Sequence, residues 1–236
     1  MKKPQLIVAL DVYTLEEAKV LVKGLSAVVN IFKVGSQLFT ACGPEVVTYI
    51  LDQGKEVFLD LKFHDIPNTV AHAVNSVLSI RGKAEKSIFM YTLHIQGGEE
   101  MLKSAVTAAN KKSQMLGLRC PLALGVTVLT SDEKKDNIAQ LVLERARLAK
   151  KSGLDGVVAS VEETALIRKE FGPEFVIVTP GIRPGGFEAG DQQRIATPAD
   201  AVIKGSDYLV VGRPIVKADS PLKSTQSILE EIKNLK

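Results

Sequence analysis

Apolar residues along the chain follow two alternating rhythms. Short runs rich in Val, Ile and Leu fall at Leu6–Leu10, Ile31–Val34, Val57–Leu61, Ile88–Leu93, Leu122–Val128, Gly156–Ala159, Phe175–Val178 and Tyr208–Val211. Their length and composition predict buried strands. Between them lie longer segments whose apolar positions recur at helical spacing: Leu15–Leu25, Glu45–Asp52, Thr69–Ile80, Glu99–Ala109, Ile138–Lys150, Glu162–Glu170, Ala199–Ile203 and Leu222–Lys233. Local signals agree, since Thr14 with Glu17 three residues on forms a capping box, while Pro44 opens a helix that Gly54 stops. Strands alternating with helices predict a parallel sheet, and eight such units predict an α/β fold of the (β/α)8 TIM-barrel type. A doubly wound open sheet is the competing arrangement that periodicity leaves open.

Composition narrows the reading. The 236 residues, 45% hydrophobic and 24% charged, suit one globular domain spanning 1–236, without a linker, low-complexity tract or long charge run. The net charge of +3 is slight, and the pairs Lys111-Lys112, Lys134-Lys135 and Lys150-Lys151 lie far apart in polar segments. They read as solvated helix ends, so no nucleic-acid partner is expected. Cys42 and Cys120 belong to no CxxC or Cys/His cluster, which argues against a disulfide framework and a structural zinc, and favours a reducing cytoplasm. The start, Met1-Lys2-Lys3 before Leu6–Leu10, has the look of a signal peptide, but the apolar run is too short and Asp11 interrupts it. No stretch approaches the ~20 apolar residues of a membrane-spanning helix, and no membrane partner is expected.

Charges placed in or at the ends of apolar strands are the informative anomalies: Asp11 after the first, Lys33 inside the second, Asp60 and Lys62 on the third. Side chains alternate along a strand, so Asp60 and Lys62 face one way while Leu59 and Leu61 face the helices. The plain structural reading is an ion pair closing the barrel top. Four charges converging on one mouth point instead to chemistry, because burying charge is costly unless it is paired and used. The stretch Thr179–Pro198, rich in Gly and Pro, follows the seventh strand, where barrels often bind phosphate, and is expected to act as a lid.

The segment Asp60-Leu61-Lys62-Phe63-His64-Asp65-Ile66-Pro67-Asn68-Thr69 resembles the signature of the orotidine 5'-monophosphate decarboxylase family. Further matches occur in order along the chain: Ala9-Leu10-Asp11, Phe32-Lys33-Val34-Gly35, Val126-Thr127-Val128-Leu129-Thr130-Ser131, Thr179-Pro180-Gly181-Ile182-Arg183-Pro184 and Val210-Val211-Gly212-Arg213-Pro214-Ile215. This resemblance implies that Asp11 and Lys33 hold the ribose hydroxyls. It further implies a catalytic array of Lys33, Asp60, Lys62 and the partner subunit's Asp65 around the substrate carboxylate, with Lys62 as proton donor. Thr130 would touch the pyrimidine, and Thr69, like Asp65, would reach across a homodimer interface. Arg183, Gln192, Gly212 and Arg213 would serve the phosphate and lid, with Gln192 rather than Gln193 selected by ungapped counting from Arg183. Phe63 and the turn Leu93-His94-Ile95-Gln96-Gly97-Gly98 depart slightly from the family pattern, and neither bears a charged role. His64 and His94 are read as packing residues.

The implied reaction removes carbon dioxide from orotidine 5'-monophosphate, leaving a carbanion at C6 in the plane of the ring, where no π system takes up the charge. The resemblance implies no cofactor and no metal, so the protein must supply electrostatic stabilisation. Two alternatives compete with this reading. Related sugar-phosphate decarboxylase or aldolase barrels carry Asp-x-Lys-x-x-Asp on the third strand but use magnesium, held by a glutamate where this chain has Lys33. A catalytically inactive nucleotide-binding barrel would be expected to have lost a member of the charged array.

Overall fold

The computed structural model of the chain describes residues 3–83, 86–128, 137–184 and 196–234. Within them eight parallel strands pair in sequence order: β1 (Gln5–Ala9), β2 (Ile31–Gly35), β3 (Glu56–Phe63), β4 (Met90–His94), β5 (Leu122–Val126), β6 (Gly156–Val158), β7 (Val176–Thr179) and β8 (Tyr208–Val211). The ring is closed by β1 against β8, with Gln5 opposite Tyr208 and Val8 opposite Val211. That closure decides for the barrel over the open sheet.

Helices follow each strand: α1 (Leu15–Leu25), α2 (Ser36–Cys42), α3 (Pro44–Asp52), α4 (Pro67–Val77), α5 (Gly98–Leu116), α6 (Ile138–Lys151), α7 (Val161–Phe171), α8 (Pro198–Ile203), α9 (Arg213–Val216) and α10 (Pro221–Lys233). The capping box of α1 forms as its sequence predicts: Thr14 Oγ1 accepts from Glu17 N, and Glu17 Oε2 accepts from Thr14 N. Two short helices carry no such signal. α2 starts at Gly35 without a side-chain cap, and α9 is a single turn. α5 runs seven residues past its expected end, because Asn110-Lys111-Lys112 breaks the apolar rhythm without breaking the helix; Gly117, at φ 63, ends it.

Two sets of apolar side chains build the core. Residues of one parity, including Ile7, Ala9, Ile31, Phe58, Met90, Leu124, Val178 and Val210, fill the barrel. Their neighbours of opposite parity, such as Leu6, Val8, Phe32, Leu59 and Val211, pack outward against the helices. Strands buried on both faces are why the sequence shows continuous apolar runs. Close strand approach fixes Gly156, where a side chain would run into the Val176 carbonyl opposite.

Candidate active site

Inward parity continues past the barrel core to its C-terminal mouth. One step beyond Ala9 is Asp11, beyond Ile31 is Lys33, and beyond Phe58 come Asp60 and then Lys62; beyond Val210 is Gly212. The apolar plug therefore forms the floor of a cavity of about 440 Å³ whose wall carries all four charges. Active sites of this fold lie at the same face.

The charges form an alternating chain. Lys33 Nζ lies 3.0 Å from Asp11 Oδ1 and 4.0 Å from Asp60 Oδ2, and Lys62 Nζ lies 2.9 Å from that same Asp60 oxygen. The Lys33 and Asp60 side chains keep only 11% and 14% of their exposure, so they interact in a weaker dielectric than a surface pair would. Lys62 is exceptional in its backbone as well. Its φ of 52 lies in the left-handed region, which costs a non-glycine residue about 1–3 kcal/mol. The ladder between β3 and β4 is displaced at that point: Leu59 faces Tyr91, but Phe63 faces Leu93, so four steps on β3 match two on β4. Alternation survives the bulge, since Leu61 still packs outward while Asp60 and Lys62 line the cavity.

Thr92, the inward residue of β4, was not anticipated from the sequence. Its Oγ1 accepts from Lys62 N at 2.8 Å and donates to Asp60 Oδ1 at 3.0 Å. Threonine suits a strand, so its residue type gives no warning. Gln37 on α2 and Lys217 after α9 also line the cavity and also lay in stretches read as connections.

From beyond the ends of β7 and β8, Arg183, Gly212 and Arg213 line the same cavity. Gly212 lies close to Asp11: a Cβ there would stand 3.0 Å from Oδ2 and press that carboxylate aside. Arg183 is buried and donates to the Ile182 carbonyl. The stretch Thr179–Pro198 is described only at its ends, which are tied together: Arg183 N donates to Ala196 O and Ala196 N to Gly181 O, at 2.9 and 3.2 Å. Gln192 and the expected lid lie outside the described residues, as does Thr130. The approach to Thr130 is anchored, with Thr127 Oγ1 donating to Val158 O at 2.8 Å and Arg145 donating to the Thr127 carbonyl.

Asp65 and Thr69 are exposed and do not line the cavity of their own chain. They flank Ile66, an apolar side chain with 66% exposure at the start of α4. His64 and His94 stack at 5.4 Å between ring centroids, away from the cavity lining. Among the described residues, no group of three or more His, Cys, Asp and Glu is placed to hold a metal, and no helix is long and apolar enough to cross a membrane. The space between the Asp11 and Asp60 carboxylates is filled by the Lys33 ammonium. Chemically, the cavity combines two ammonium groups and two carboxylates with the guanidinium groups of Arg183 and Arg213, a lining suited to a substrate that carries more than one anionic group.

Comparison with known proteins agrees with this geometry. Residues 4–228 match the model of the family described as Orotidine 5'-phosphate decarboxylase / HUMPS family. The chain is 43% identical to the orotidine 5'-phosphate decarboxylase of Moorella thermoacetica, covering 99% of this chain and 94% of that one. It is 46% identical to the protein of the same name from Syntrophotalea carbinolica, covering 98% and 95%. Among solved structures, the orotidine 5'-phosphate decarboxylase of Lactobacillus acidophilus superposes with a TM-score of 0.82 at 35% identity, over 97% of this chain and 99% of the other.

Proposed function

The chain belongs to the orotidine 5'-phosphate decarboxylase family, and from that premise we propose how its barrel mouth converts orotidine 5'-monophosphate to uridine 5'-monophosphate and carbon dioxide in pyrimidine nucleotide synthesis. The observation that carries the reading is the alternating chain Asp11, Lys33, Asp60, Lys62 in one cavity. Asp11 and Lys33 hold the ribose hydroxyls, while the phosphate binds at Arg183, Gly212 and Arg213, whose guanidinium groups can each hold an anion through two hydrogen bonds. By family resemblance Thr130 touches the pyrimidine and Gln192 the phosphate.

In the reaction the bond from C6 to the carboxylate breaks and its electron pair stays on C6. The Lys62 ammonium, held beside Asp60, stabilises that pair and then gives it a proton, and the neutral amine regains one from water. Asp60 stands beside the departing carboxylate, so the repulsion it exerts is relieved as carbon dioxide leaves. No step requires a cofactor. A second copy of the chain completes the site with Asp65 and Thr69, and the exposed Ile66 between them suits an interface. The partners are therefore the substrate and a second subunit, with no role for nucleic acid, and the two free cysteines fit a reducing cytoplasm.

The magnesium-dependent alternative is disfavoured because an ammonium group occupies the space between the two carboxylates where a cation would sit. Following orotidylate by absorbance with and without a chelator tests the reading. Undiminished turnover in the chelator is expected. Loss of activity restored by magnesium would overturn it in favour of the metal-dependent barrel, and absence of turnover under both conditions would make the chain a nucleotide binder.

A further inference from the structure

We infer that Thr92 is a positioning residue for the decarboxylation, fixing through one hydroxyl both the Asp60 carboxylate and the strained backbone that presents Lys62. The inference rests on the assignment of Asp60 and Lys62 to the reacting end of the substrate. It starts from the displaced ladder between β3 and β4. Where two extra residues of β3 enter, the Lys62 N–H is taken by a side chain: the Thr92 hydroxyl accepts it at 2.8 Å. That N–H occupies a lone pair of Oγ1 and leaves its proton to be given elsewhere, 3.0 Å away at Asp60 Oδ1. The polarity of the bridge is thus fixed: amide to hydroxyl to carboxylate.

The consequence is geometric. With Oδ1 held by Thr92, Asp60 turns its other oxygen, Oδ2, toward both ammonium groups, 2.9 Å from Lys62 Nζ and 4.0 Å from Lys33 Nζ. Thr92 itself is fully buried, and its backbone is registered against Leu124 of β5, so the bridge hangs from a rigid wall rather than a loop. A half-buried N–H left without an acceptor costs stability, so the hydroxyl supports the left-handed turn at Lys62. Reaction rates respond steeply to small displacements of catalytic groups, whereas binding of the remote phosphate does not depend on them. Thr92 therefore acts on turnover while leaving nucleotide affinity nearly untouched.

Four variants test this: Thr92→Val, which keeps the shape and removes the hydroxyl; Thr92→Ser, which keeps the hydroxyl; Asp60→Asn; and Thr92→Val combined with Asp60→Asn. Thr92→Val should lower kcat roughly tenfold to a hundredfold with KM within about threefold. Thr92→Ser should restore turnover to within about threefold of the parent, and Thr92→Val added to Asp60→Asn should lower the residual rate by less than about threefold, because its target is already altered. Retained binding of uridine 5'-monophosphate shows that the cavity is intact; should Thr92→Val not fold, Thr92→Ala takes its place in the same comparisons. Equal losses for Thr92→Val and Thr92→Ser, or losses that multiply in the double variant, would overturn the positioning role. If Asp60→Asn and Lys62→Ala retain turnover, the reading of the site falls and this role with it. If both abolish turnover while Thr92→Val does not, the site stands and Thr92 is a packing residue.

Discussion

Lys62 combines a strained backbone with a cationic side chain, and the two belong together: the left-handed φ of 52 is what a bulged strand needs at the point where its side chain must enter the mouth. Replacing it with alanine removes the cation and with it the proposed proton donor. Lys62→Ala should lower kcat by roughly ten-thousand-fold or more with the fold retained, as read by circular dichroism beside the absorbance assay; a tenth of the activity surviving would make Lys62 a bystander. Arg213 lines the same cavity and is the proposed phosphate ligand. Arg213→Ala should lower kcat/KM roughly 10- to 100-fold, while inhibition by a nucleoside lacking phosphate stays unchanged. Weakening of both together would place Arg213 away from the phosphate. At this scale the sequence is legible where a residue violates its surroundings. Asp11, Lys33, Asp60 and Lys62 stand out because charge interrupts apolar runs, and strand parity alone brings them to one mouth. Thr92 and the bulge stay hidden because threonine belongs in strands and nothing in a lysine announces positive φ.

The elements were legible in proportion to how much apolar surface each buries. The eight strands and the long helices appear where their rhythm places them, and errors collect at ends and in short pieces. α2 has one fully buried side chain, Leu38, and no side-chain cap, so neither rhythm nor punctuation marks it. α5 lacks apolar contrast in its last turns, which are held in the helix by continuity. That helix also carries a pH-sensitive tie. Glu99, in its first turn, accepts from Lys103 on its own helix and from Lys151 at the end of α6, both at 2.7 Å, and these bonds hold its carboxyl down to about 2 from an ordinary 4.5. A depressed carboxylate contributes stability that is fully present above its unfolded value and lost as pH falls through its folded one. Comparing urea midpoints of the parent and Glu99→Gln should therefore show a small advantage for the parent at neutral pH, declining between about pH 4.5 and 2. The advantage should shrink with added salt, as the pair is largely solvated. A difference independent of pH would mean that Glu99 acts through packing.

For the whole molecule, the count of βα units distinguishes a barrel from other α/β folds only once closure is seen, because pairing of the first strand with the last leaves no local trace in a sequence. The same holds for association. Asp65 and Thr69 do not line the cavity of their own chain, so the proposed shared site predicts complementation: refolding an equimolar mixture of Lys62→Ala and Asp65→Ala should return roughly a quarter of parent activity, half of the dimers being mixed and half of their sites intact. Well-folded dimers without recovery would confine Asp65 to its own subunit. The seam between β1 and β8 reaches further. It joins residues about 200 positions apart, Gln5 to Tyr208, and the cavity straddles it, with Asp11 leaving one side and Gly212 and Arg213 the other. Ring closure is the most non-local event in this chain, and entropy places such contacts late. A ribosome that has not yet released the last strand therefore carries a barrel whose mouth lacks the wall that Gly212 and Arg213 supply. Decarboxylation is thereby expected to report that β8 has been made and closed against β1, and to be silent in chains interrupted before it.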